Sequence, residues 1–222
     1  MTSAFPSRLS MTQVLICGAA IVTLSMGIRH GFGLWLQPIT MERGWTRENF
    51  AFAMAIQNIT WGVAGLFAGM VADRFGAYRV LLAGGLIYAL GLLLMALAPT
   101  PILFTATAGV LLGIAQACTT YAVVYGVIGR NVDPAKRSWA MGVTAAAGSF
   151  GQFLMVPVEN GLIGGIGWQG ALFALAAFAL LILPLASGLR ERGLEGGLVR
   201  PQQSIGAALR EAFAYPSFQL LM

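Results

Sequence analysis

The chain has 222 residues, of which 58% are hydrophobic and only 9% charged, and a formal net charge of +5. That balance excludes soluble, intrinsically disordered and disulfide-scaffold classes. Two cysteines without metal-ligand spacing and one histidine leave no basis for a metal centre, and no cofactor is expected.

Stretches free of Asp, Glu, Lys and Arg run from 9 to 28, 51 to 72, 80 to 129, 138 to 158 and 160 to 189. An apolar helix needs about 20 residues to cross the hydrocarbon of a bilayer. The third stretch is too long for one pass, and Ala98-Pro-Thr-Pro101 divides it in two. The pattern predicts six transmembrane helices at about 13–37, 49–72, 80–98, 102–126, 138–162 and 168–188. Residues 1–12 then form a short N-terminus and 13–188 a six-helix bundle. Residues 189–215 read as a polar linker, and 216–222 as the start of a seventh span in a truncated chain.

Arg8, Arg74, Arg79, Arg130, Lys136, Arg137, Arg190, Arg192, Arg200 and Arg210 fall on one side of these spans, and Arg43 and Arg47 on the other. The positive-inside rule makes the first side cytoplasmic, with the N-terminus there, as expected for a multi-pass plasma or inner-membrane protein. The net charge thus reflects topology, and nucleic acid is not an expected partner.

In chain order, the first span holds Arg29, a cation that costs at least ~2.5 kcal/mol on insertion scales and so asks for a function. Gln57 and Asn58 in the second span and Gln152 in the fifth lie at about its level, while Gln116 sits mid-way along the fourth, with Thr119, Thr120 and Tyr121 following. Together these can line a polar cavity whose guanidinium selects an organic carboxylate by bidentate hydrogen bonding. The competing reading has Arg29 snorkelling outward or pairing with an acid outside this bundle. His30 is a proton relay or, more commonly, a packing residue. Tyr121 and Tyr125 share one face of the fourth helix and Gln116 marks another, with no signal as to which meets the cavity.

Between the second and third spans the chain reads Gly69, three residues, Asp73, Arg74, Phe75, Gly76, two residues, Arg79. Gly76 gives the backbone freedom to reverse there. Asp73 can accept from helix N-terminal amides and the arginines can bond carbonyls or acids. A topological anchor is the plainer alternative. A faint echo, Gly65-Leu-Phe67 with Asp73 against Gly151-Gln-Phe153 with Glu159, fits an inverted three-plus-three repeat and casts Glu159 as an outer-face gate or cap. The pairs Gly27/Gly31, Gly65/Gly69, Gly109/Gly113 and Gly161/Gly165 have the small-xxx-small spacing that brings helices close in lipid. Gly165 to Gly170 spells a dinucleotide pattern, but no strand precedes it.

The hinge resembles the signature loop of the major facilitator superfamily, in both letters and location. Tyr78 stands where that pattern usually has a second basic residue. Arg29 to Trp35, and Ala147 to Gly151 with Pro157, resemble its monocarboxylate and oxalate/formate branch. The resemblance implies an all-α polytopic fold in which this chain is the N-terminal half of a twelve-helix carrier, the other six-helix half being its partner. It further implies that Gly69, Asp73, Arg74, Gly76 and Arg79 latch the cytoplasmic side, and that a first-helix cation serves anion transport. The expected function is secondary active transport of small organic anions by alternating access. Another metabolite, or a stand-alone half that dimerises or acts as a scaffold, is the alternative. An intramembrane enzyme would need clustered acids, histidines or a Ser-His pair, and these are missing.

Overall fold

The computed structural model describes residues 9–191, and among these the regular structure is entirely helical. Five stretches are long and apolar enough to cross a membrane: Met11–Arg43 (α1), Arg47–Phe75 (α2), Ala77–Leu97 (α3), Pro101–Asn131 (α4) and Pro134–Ser187. The last has 54 residues, about 80 Å of helix against a hydrocarbon core of about 30 Å. It breaks at Gly167, where φ 73 and ψ 168 leave the helical region, giving α5 (134–166) and α6 (168–187) and six passes in all. The predicted span 138–162 is therefore short, and a single glycine stands where a loop was expected. Residues 192–222, with most of the anticipated linker and the seventh-span start, lie outside the described residues.

Local chemistry sets the ends. The Ser10, Thr46 and Thr100 side chains accept from the backbone N–H three residues on, and Asp133 accepts from that of Ala135. Each supplies one of the donors that a helix start leaves unpaired. Pro101 and Pro134 follow their caps in the first turn, where no amide hydrogen is needed. Gly44 ends α1 at φ 66, and Gly76 turns α2 into α3 at φ 91.

Two apolar clusters fill the bundle. One holds Val14, Ile21, Leu81, Val124, Ile128 and Ile182 towards the basic end. The other holds Phe32, Trp35, Leu92, Phe104, Trp168 and Leu172 towards the opposite end. A polar layer lies between them: the Tyr88 hydroxyl donates to the Ser25 carbonyl at 3.0 Å, and the Ser25 and Thr119 hydroxyls are 2.7 Å apart.

Glycines set the closest contacts. On α1 and α5, Gly27 faces the Gly151 carbonyl and Gly151 faces Thr23 backbone, while on α4 Gly109 and Gly113 meet the Ala53 and Gln57 carbonyls of α2. Gly65, Gly69, Gly161 and Gly165 have open space above them, so the spacing seen in the sequence does two different jobs. Large apolar side chains such as Leu66, Phe67 and Phe153 face outward, as a lipid environment permits.

Candidate functional site

Arg29 lies close to the middle of α1, about 3 Å from its centre at the helical rise. Its guanidinium turns towards α2, donates to Asn58 Oδ1 and sits 4.7 Å from the centre of the Trp61 ring. A cation over an indole gains about 0.5–2 kcal/mol, most when water is excluded. The buried Arg29 Nε has no hydrogen-bond acceptor among the described residues. Trp61 in turn donates from Nε1 to the Thr120 hydroxyl at 3.2 Å, and Thr120 donates to the Gln116 carbonyl at 2.8 Å. One polar chain thus runs from α1 through α2 to α4.

That chain ends at a fault in α4. The segment Thr105–Leu111 is a π-helix, and the backbone leaves the helical region at Thr120, with φ −110 and ψ −158. Such departures free backbone groups and concentrate at functional positions. Just before the break, Gln116 is fully buried beside the Tyr88 hydroxyl, yet neither amide atom has a partner at hydrogen-bond geometry among the described residues.

The anticipated cavity residues separate. Arg29, Asn58 and Thr120 are joined through Trp61. Gln57 is not with them: it is buried and its Nε2 donates to the Ala108 carbonyl at 2.7 Å. Since consecutive helical residues point about 100° apart, Asn58 and Gln57 cannot share a face, and Gln57 ties α2 to α4 instead. Tyr121 turns to α5, where its hydroxyl lies over Gly148, and its ring is 5.3 Å from that of Tyr125. Gln152 is half-buried on α5, and His30 is exposed at the end of the first α-helical segment of α1.

At the basic end, among the described residues, Asp73 bonds a side chain and not the helix amides that were anticipated. Its Oδ1 takes a 2.5 Å bond from Arg130 at the end of α4. The same guanidinium grips Glu191 through Nε and Nη2, each at 3.1 Å, and Asn131 Nδ2 donates to that carboxylate at 2.6 Å. The network joins α2, α4 and the segment after α6. Arg74 lies over Phe75, and Arg190 covers Tyr78, the residue at which the hinge departs from the usual pattern. Arg79 is exposed on the first turn of α3, and Gly69 is one turn inward of Asp73.

Glu159 was anticipated as an outer-face gate or cap, at the point where its helix closes. Instead α5 continues to 166, and Glu159 is fully buried against α1. Its Oε2 accepts from Trp35 Nε1 at 3.1 Å. Trp61, Tyr88 and Trp35 were missed in the sequence, although Trp61 stands three residues after Asn58, the spacing of same-face neighbours.

A family model for the Major Facilitator Superfamily matches residues 15–221. The chain belongs to this superfamily. Among curated proteins it is similar to monocarboxylate transporter 11 of Mus musculus, 27% identical over 190 residues, covering 86% of this chain and 42% of that protein. It also resembles monocarboxylate transporter 14 of Mus musculus, 29% identical over 161 residues, covering 71% and 30% respectively. The uncharacterized MFS-type transporter YcxA of Bacillus subtilis is 24% identical over 195 residues, covering 87% of this chain and 46% of its own length. The chain therefore spans less than half the length of these relatives. The superfamily membership and the apolar helices make it an integral multi-pass membrane protein.

Proposed function

We propose that this chain forms the N-terminal half of a secondary carrier for small organic anions of the monocarboxylate type, working by alternating access against a second six-helix half. The N-terminus and the Asp73 hinge then face the cytoplasm across a plasma or inner membrane. The observation that carries the reading is Arg29: a cation near the middle of α1, held by Asn58 and Trp61 of α2, with its Nε left without an acceptor. A guanidinium at mid-membrane depth with hydrogen-bonding capacity left over among the described residues suits a carboxylate ligand. The similarity to monocarboxylate transporters points the same way.

The test is counterflow of radiolabelled carboxylates by the complete carrier in proteoliposomes. Arg29→Ala is expected to abolish exchange of the preferred anion while membrane insertion stays intact. Arg29→Lys keeps the charge but loses the planar fork, and is expected to retain part of the exchange at higher substrate concentration. Undiminished exchange in Arg29→Ala would remove Arg29 from the site.

A further inference from the structure

The fold uses the two cations at the end away from the basic one in different ways. Arg43, the last residue of α1, donates to the Ala96 carbonyl at 3.3 Å and lies against the Trp45 and Trp168 rings. Arg47, the first residue of α2, is exposed, and its guanidinium has no hydrogen-bond, ion-pair or ring partner among the described residues. A cation in the first turn of a helix adds to the positive end of the helix dipole instead of offsetting it. Of the two acids close by in sequence, Glu42 takes the Trp168 indole hydrogen, and Glu48 points about 100° around α2 from Arg47.

Arg47 stands on a groove of about 590 Å³ between the outer part of α1 and the turn into α2, and supplies the single charge among its described lining residues. Leu36, Met41 and Trp45 give the groove an apolar wall, and Gln37 and Thr46 add polar groups. The Gln37 amide engages nothing stronger than the Met41 sulfur, at 3.6 Å, and the Thr46 oxygen accepts from the Asn49 N–H, leaving its hydroxyl hydrogen to donate. A carboxylate can set its charged end on the guanidinium fork and lay a short hydrocarbon tail on the apolar wall. A groove of this size would hold a drug-sized molecule, so a short carboxylate enters still partly hydrated and is collected there without being sealed in.

The groove leads towards Arg29. Its inner end is Gly33, which has open space above it and lies one turn outward of Arg29, roughly 7 Å along α1. On the other wall α2 is an unbroken α-helix, so Arg47 and Asn58 fall within about 20° of one face and about 16 Å apart along the axis. Met54 and Ala51 stand between them on that face, and neither carries a charge. A separation of about 16 Å is twice the screening length at physiological salt. Arg47 therefore acts on an anion that is arriving, and only weakly on one already at Arg29.

We propose that this groove is an anion-capture site, in which Arg47 gathers short-chain monocarboxylates and passes them on to Arg29. The assignment rests on the carboxylate reading of Arg29 given above, and adds the place where the substrate is first held.

The test is the rate at which Met41→Cys, on the groove wall and at a position 74% exposed, reacts with an anionic and with a cationic methanethiosulfonate reagent. It uses the complete carrier in neutral-lipid nanodiscs, with Cys17, Cys118 and any cysteine of the second half replaced by serine. At low ionic strength the ratio of anionic to cationic rate is expected to be about fivefold higher with Arg47 than in Arg47→Gln, with the difference shrinking in high salt and Arg47→Lys keeping most of it. Butyrate is expected to slow the anionic reagent more than chloride does at the same ionic strength, and to lose that advantage in Arg47→Gln. An unchanged ratio in Arg47→Gln, equal protection by butyrate and chloride, or protection that persists in Arg47→Gln would overturn the proposal. The labelling needs no transport, and Arg29→Ala is expected to leave it unaltered while exchange is lost, so failure of the groove and failure of the Arg29 assignment are read separately.

Discussion

Replacing Gly151 with alanine tests the packing on which the α1/α5 interface rests. A Cβ at Gly151 would lie 2.3 Å from the Thr23 carbonyl oxygen and 2.8 Å from that residue's Cα and carbonyl carbon. These are backbone atoms with no rotamer to change, so regaining ordinary contact requires the helices to move apart by roughly 1 Å. The shift would strain the bond from Thr23 to the Ala147 carbonyl, 2.9 Å, and loosen the approach of Gly27 to Gly151. Overpacking of this kind costs about 1–3 kcal/mol, or roughly a five- to 150-fold loss of the closed arrangement at 1.36 kcal/mol per tenfold. Gly65→Ala is the matched control, because nothing lies within 4 Å of the added methyl. Thermal challenge of detergent-solubilised protein, read by the monodisperse fraction on size exclusion, is expected to show a lower midpoint for Gly151→Ala and an unchanged or higher one for Gly65→Ala. Equal midpoints would refute the idea that the α1/α5 contact is limited by backbone approach at this residue.

Two further predictions concern the polar contacts. At the basic end, Asp73→Asn and Arg130→Gln are expected to be non-additive in a double-mutant cycle by about 0.2–1 kcal/mol, because their ion pair is partly exposed. Arg130→Gln with Glu191→Gln should couple more strongly, since the Glu191 side chain is only 8% exposed; equal couplings in thermal unfolding would contradict the network. In α2, Asn58→Leu is expected to weaken anion exchange with little loss of stability, and Gln57→Leu to do the reverse. Parallel melting and counterflow measurements check this, and the same loss of exchange in both variants would count against the division of the two amides.

The passes were legible because charge-free runs of bilayer length leave few alternatives, and Ala98-Pro-Thr-Pro101 and Gly76 mark reversals that the structure keeps. The fifth span was set too short because Asn160 and the glycines after it read as an exit from the membrane, whereas their backbone remains helical to 166. Arg29 was legible because a cation in a span is expensive. Its hold on Asn58 follows from depth, but Trp61 was taken for one more apolar residue. The separation of Gln57 from Asn58 needs the rotation of α2 about its axis, which an evenly apolar helix does not announce. The partners of Asp73 and Glu159 are 57 and 124 residues away, and pairings over such distances are set by tertiary packing alone.

The joint at Gly167 carries a mechanical consequence. A lone residue at φ 73 connects α5 to α6 with no slack on either side, so the two helix ends that meet there stay within one residue of each other. A displacement of α5 along its own axis at that end is therefore carried to α6. The displacement would then arrive at the opposite side of the bilayer beside Glu191, where the Arg130 guanidinium is waiting to register it.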